Sequence, residues 1–225
     1  VRQLEELVIT NYDEDHVSDL PNLARALPIS SLTRNPSVSG TQLLQLKSET
    51  GAGPGIEYLA RMTGNYAGAV VTPPNWGAMT FGHFWNIYPT DFDDENNLSL
   101  VLFLHCYGLH IMFPGDMEVA GWKVLLRNPY FVQELKRVNV MVASHHGRES
   151  GCCDELFCAT GWQPEIVVFS DAGIQYDTQR TANWYGARCK GIMYDSQPRY
   201  VFSTRQDGPL LIEATPIRTT IVAGA

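Results

Sequence analysis

The sequence predicts an α/β fold, and three observations carry that expectation. Short, wholly apolar runs such as Val140-Met141-Val142-Ala143 and Ile166-Val167-Val168-Phe169 have the composition of strands buried on both faces. Segments with helical spacing lie along the same stretch, Val119 to Leu126 and Tyr130 to Val138 among them. Three times a buried strand stops and polar residues follow at once: at Asn11 to His16, at Asp116, and at His145-His146. Ligands at the ends of adjacent strands are how a layered α/β domain gathers a site on one rim.

Taken in order, the apolar end of Leu4 to Thr10 reads as a short buried strand that delivers Asn11 to a loop. Asp19 and Pro21 form a helix-start signal for a helix over Asn22 to Leu27. Gly40 to Met62 is helix-prone but is broken in two by Gly51-Ala52-Gly53-Pro54-Gly55. Phe84–Tyr88, Leu98–Leu104 and Leu109–Phe113 are expected as successive strands, the last pair turning at Tyr107-Gly108. A helix is expected over Thr178 to Gly186, and Tyr200–Ser203 with Leu210–Glu213 as a closing hairpin around Asp207-Gly208.

The bulk properties narrow the function classes. Of 225 residues, 44% are hydrophobic and 18% charged, ordinary values for a chain that buries a core. The even composition favours one domain over residues 1–225. A net charge of −8 opposes a broad electrostatic grip on nucleic acid, whose phosphates carry the same sign, and leaves only local basic patches for such contacts. No stretch approaches the roughly 18 apolar residues of a membrane span, so no membrane partner is expected. Five cysteines without a secretory signal point to reduced thiols and a cytoplasmic location. Cys152-Cys153-x4-Cys158 invites a zinc reading, but adjacent cysteines project divergently, and buried small hydrophobes account for them better.

The chemistry concentrates in Asn11-Tyr12-Asp13-Glu14-Asp15-His16. Alternate residues of an extended loop point the same way, so Asn11, Asp13 and Asp15 converge while His16 reaches in beside them. A hydrolytic metal site needs such crowding, because cations must be neutralised and held around a shared water. Asp116 would add a carboxylate, and His145 or His146 an imidazole. Alone, each piece reads as an acidic turn, a strand-ending turn or a polar strand end; their joint occurrence in order argues for a site.

Thr10 to Leu20, Asn96-Asn97-Leu98-Ser99-Leu100-Val101-Leu102, Phe113-Pro114-Gly115-Asp116, Ser144-His145-His146-Gly147 and Ser203 to Gly208 together resemble the metallo-β-lactamase superfamily, in the branch containing the hydrolase domain of competence DNA-uptake channel proteins. The resemblance spans nearly the whole chain. It implies a four-layer αββα sandwich and a metal-dependent hydrolase acting on phosphoester bonds, with nucleic acid or a nucleotide as substrate and a metal-activated water as nucleophile. Asp15 and His16 would be catalytic, Asp15 orienting that water. Asp13, Asp15, His16, Asp116, His145 and His146 would hold one or two divalent ions, zinc or, given the oxygen-rich set, manganese or magnesium. Arg148 and Arg205 would engage substrate phosphate.

The departures are as informative. Asn11 and Asp13 stand where the family has its first two histidines, so the half of the site they serve has lost its imidazoles, and Asn11 is at best a weak ligand. The family's last histidine has no counterpart; Asp177 either substitutes for it or caps the helix starting at Thr178. His83, His105 and His110 lack motif support and are expected to be structural. Only ten residues precede Asn11, where the family places a strand pair. The expectation is therefore a domain truncated at its N-terminus, whose missing strands are cleaved away or supplied by a partner chain. These departures motivate an alternative: a degenerate subunit that scaffolds or regulates a larger defence- or toxin-related complex. Lactam- or thioester-cleaving relatives keep the full histidine set, which sets them further away.

Overall fold

The computed structural model describes residues 1–225 apart from Ala69, Val71 and Ala225. The chain is mixed α/β and forms two compact units, one of Val1–Asn75 with Trp85–Leu100, the other of Trp76–Phe84 with Val101–Ala225.

The first unit begins with β1 (Leu7–Val8), then α1 (Glu14–Val17), α2 (Leu20–Ala26) and β2 (Leu32–Thr33), with β1 and β2 paired in parallel. The expected glycine break separates α3 (Gly40–Leu46) from α4 (Pro54–Asn65). A capping box starts α3, in which Ser39 and Gln42 each satisfy the other's backbone N–H. The start of α4 is capped from a distance: the Glu14 carboxylate accepts from Gly55 N at 2.8 Å and Ile56 N at 3.0 Å. Glycine is required there, since a Cβ on Gly55 would lie 2.2 Å from the Val17 carbonyl oxygen. The Gly53–Gly55 run thus lets a helix N-terminus approach the Asn11–His16 loop and fix it.

The segment 85–100 is held in this unit by buried amides. Asn35 Nδ2 donates to the carbonyls of Asn86 and Leu98, both at 2.9 Å, and Asn86 Nδ2 to the carbonyl of Asn97 at 2.8 Å. This corrects the strand expected at Phe84–Tyr88. The strand ends at Phe84, because the carbonyl that Asn86 would offer to a ladder is taken by the Asn35 side chain.

The second unit is built on six strands: β3 (Met79–Phe84), β4 (Val101–Cys106), β5 (Leu109–Phe113), β6 (Val140–Val142), β7 (Ile166–Phe169) and β10 (Val201–Ser203). Their order is β10-β7-β6-β5-β4-β3, parallel from β10 to β5 and antiparallel from β5 to β3. Strand periodicity explains why the central strands are apolar throughout. Met141, Val167 and Phe169 face a core shared with α5 (Val119–Leu125), α6 (Pro129–Leu135), α7 (Asp154–Cys158) and α8 (Ala182–Gly186). Val140, Ile166 and Val168 face the opposite core. That core is closed by two hairpins, β8 (Ile192–Tyr194) with β9 (Gln197–Arg199), and β11 (Leu210–Ala214) with β12 (Thr219–Ala223).

The closing hairpin expected between Tyr200–Ser203 and Leu210–Glu213 is not formed. β10 instead pairs with β7, and β11 with β12. The intervening α9 (Thr204–Asp207) is a helical turn, closed by Ser203 Oγ accepting from Gln206 N and the Asp207 carboxylate accepting from Ser203 N. The helix expected over Thr178 to Gly186 is shortened to α8, preceded by a 3-10 turn at Asp177–Gln179.

The cysteines are free thiols; Cys153 and Cys189 are buried, Cys158 is exposed, and no metal-type cluster among the described residues includes a cysteine. Among the described residues no helix is long and apolar enough to cross a membrane.

His105 and His110 face each other across the β4–β5 hairpin, their Nδ1 atoms 2.6 Å apart, and His105 Nε2 meets Glu134 at 2.7 Å. Burial, with the charges of His105 and Arg137, holds His110 below the usual imidazole value of 6.5, against an upward pull from Glu134. The unfolded chain then binds this proton more readily than the folded one, so acidification favours unfolding. Stability from this residue is complete above about pH 6.5 and is lost as pH falls through the lower folded value. The wild type is expected to lose more melting temperature between about pH 7 and 5 than a His110→Gln variant, as read by calorimetry. Parallel curves would refute it.

Candidate metal centre

Parallel pairing of β5, β6 and β7 puts the carboxyl ends of these strands along one edge, the edge at which open α/β sheets present their sites. Asp116 follows β5, Ser144-His145-His146-Gly147 follow β6, and Ser170-Asp171 follow β7. The turns are tied together: His145 N donates to the Gly115 carbonyl at 3.1 Å, Ser144 Oγ to the Met117 carbonyl, and Ala143 N to the Val168 carbonyl at 2.8 Å.

After β6 the backbone turns left-handed at three successive residues, His145 (φ 50°), His146 (φ 52°) and Gly147 (φ 76°). Glycine takes this conformation freely, but a side-chain-bearing residue costs about 1–2 kcal/mol. Such strain persists only where the surrounding structure over-determines it. Its result here is that both rings face Asp116. His145 Nε2 lies 3.6 Å from Asp116 Oδ2, and His146 Nε2 lies 3.8 Å from Asp116 Oδ1. The carboxylate is almost fully buried, its side chain 4% exposed.

These separations exceed hydrogen-bond range. They approach the spacing of two donors sharing one ion, about 3.4 Å for ligands roughly 2.1 Å from a tetrahedral centre. The far nitrogens are anchored as metal-binding imidazoles are. His145 Nδ1 meets Ser150 Oγ at 3.0 Å and the Glu118 carboxylate at 3.2 Å, and His146 Nδ1 donates to the Ser170 carbonyl at 3.2 Å. Burial holds the His145 pKa down, reinforced by Arg148 and His146 and opposed by Asp116 and Glu118. That favours the neutral ring a cation needs. Imidazole nitrogens and a carboxylate are donor types that divalent transition metals accept.

The two arginines expected to engage phosphate, Arg148 and Arg205, are positioned differently. The Arg148 guanidinium lies 4.1 Å above the Tyr176 ring, and its Nε is buried without a hydrogen-bond partner. Arg205 pairs with Asp171 at 2.8 Å, and Asp171 is further held by its backbone to Thr204. Asp177 is largely exposed and pairs with Arg180 at 3.2 Å. It is the first residue of a 3-10 turn and not its N-cap, so it does not cap a helix starting at Thr178.

In the first unit, the Asn11–His16 loop is built as follows. Asn11 is buried, with its side-chain oxygen accepting from Asp13 N at 2.6 Å and its amide nitrogen donating to Ser99 Oγ at 3.0 Å. The Asp13 carboxylate is ion-paired to Lys47, which also pairs with Glu95. Burial lowers the Lys47 pKa, but hydrogen bonds and attraction from Asp13 and Glu95 outweigh it and leave the value raised, so the ammonium is the stable form. Asp15 and His16 lie together on α1, with a ligand atom of each within 4.8 Å of the other.

Sequence reading did not find Lys47, Glu95, Glu118, Ser150 or Tyr176. None lies in a motif, and only the buried lysine gives a hint, since a lysine is rarely buried without partners. No protein-family model matches the chain, and no curated protein matches it either.

Proposed function

We propose that this chain is a metal-dependent hydrolase of the metallo-β-lactamase type, acting on phosphoester bonds of a nucleotide or nucleic acid. The observation that carries the reading is the strained His145-His146-Gly147 turn, which aims two anchored imidazoles at buried Asp116. The helix layer and the hairpin layer on opposite faces of the six-stranded sheet are compatible with an αββα sandwich.

A divalent cation at such a site lowers the pKa of a water and polarises a phosphoryl oxygen. The chain's own residues bind and orient. Asp116, His145 and His146 would hold the ion, and Glu118, Ser150 and the Ser170 carbonyl fix the rings through Nδ1. Arg148, stacked on Tyr176 with an unpartnered Nε, is the better-placed cation for a substrate phosphate; Arg205 is already committed to Asp171.

The engagement of Asn11 and Asp13 by internal partners favours a second reading, a degenerate scaffold or regulatory subunit of a larger defence- or toxin-related complex. Metal analysis of the purified protein, with phosphodiesterase assays in zinc, manganese and magnesium, separates the two. Bound metal with turnover supports the hydrolase. Protein that takes up no ion and cleaves no ester supports the scaffold.

A further inference from the structure

The buried side of the Asn11–His16 loop already holds a cation, an ammonium. Lys47 is 5% exposed and follows the last residue of α3. Its Nζ bridges the carboxylates of Asp13 and Glu95, which come from separate parts of the chain. A buried lysine persists only where partners offset its lost hydration, and here two carboxylates do so. Asn11 braces the arrangement: its oxygen accepts from Asp13 N and its nitrogen donates to Ser99 Oγ, so it shapes the turn that presents Asp13 to Lys47.

We propose that the Lys47 ammonium takes the place a cation would have between Asp13 and Glu95, so that the Asn11–Asp13 turn binds no divalent ion and the chain binds only the one assigned to Asp116, His145 and His146. The inference rests on the hydrolase reading above and narrows it. A metal ion drawn to Asp13 would meet a fixed positive charge sharing the same carboxylate, and like charges at that distance in a buried site oppose each other strongly. At positions 11 and 13 this chain has an amide and a carboxylate, and the carboxylate is already bridged by a lysine. The ammonium supplies charge and hydrogen bonds but has no vacant orbital, so it neutralises carboxylates without activating water.

The test is a metal count on the full chain saturated with Mn²⁺ or Zn²⁺, by plasma mass spectrometry after dialysis. One equivalent is expected in the wild type and one in Asp13→Asn, whose melting temperature falls whether or not metal is present. Two equivalents in the wild type with one lost in Asp13→Asn would overturn the proposal while leaving the hydrolase reading intact. No metal in the wild type would instead defeat the hydrolase reading, and the assignment then stands or falls on Lys47→Ala in chelator. That variant is expected to melt lower and to be restored by millimolar Mn²⁺ in a manner that Glu95→Gln abolishes; an alanine variant with unmoved melting temperature and no response to Mn²⁺ overturns the assignment. Should Lys47→Ala not fold, Glu95→Gln alone decides: lowered melting temperature in chelator supports the proposal, and an unchanged one overturns it.

Discussion

An Asp116→Asn variant should bind Mn²⁺ or Zn²⁺ roughly 100-fold or more weakly than the wild type, since changes even to residues behind a metal's ligands cost about 10–100-fold. Phosphodiesterase turnover should fall with it. The substitution preserves size and removes the charge, and both imidazoles face Asp116, at 3.6 and 3.8 Å. Its effect should therefore exceed that of Asp177→Asn, whose carboxylate is exposed and paired with Arg180. Titration calorimetry gives the affinity directly, and circular dichroism checks that the fold persists. A variant that keeps wild-type affinity would remove Asp116 from the ligand set and defeat the central reading.

The second large effect is expected from Gly147→Ala. A Cβ there would lie 2.1 Å from a carbon of the Phe169 ring, at a backbone φ of +76°. The left-handed conformation and the overpacking together should cost about 2–5 kcal/mol. Phe169 is buried in the core beneath the sheet edge, packed edge-on against Tyr185 at 5.5 Å, so it has little room to withdraw. The variant should melt at lower temperature in chelator. Because Gly147 sets the turn that holds both histidines, it should also bind metal more weakly than the wild type when assayed folded at low temperature. Wild-type stability in this variant would show that the turn is not under the strain described.

How much was legible in advance follows from the range of the forces involved. The strands Ile166–Phe169 and Leu109–Phe113 were readable to the residue, because a strand buried on both faces leaves an uninterrupted apolar run. Asp116 and the histidine pair were readable as a site because they directly follow such strands. The strand expected at Phe84–Tyr88 and the hairpin around Asp207-Gly208 failed for a common reason. Their residues have strand or turn character, but side chains of Asn35 in one case and Ser203 and Asp207 in the other claim the backbone groups that a ladder would have used.

The sequence by itself determined the α/β class, the two-sided burial of the central strands and the residue types that gather near their ends, since all three depend on neighbours within a few positions. Only the tertiary structure decided which strands run parallel, that two histidines turn left-handed toward one carboxylate, and that Lys47, 34 residues from Asp13 and 48 from Glu95, neutralises both. The physical reason is that a charge or hydrogen bond acts over a few ångströms in space without regard to separation along the chain, and only folding sets those distances.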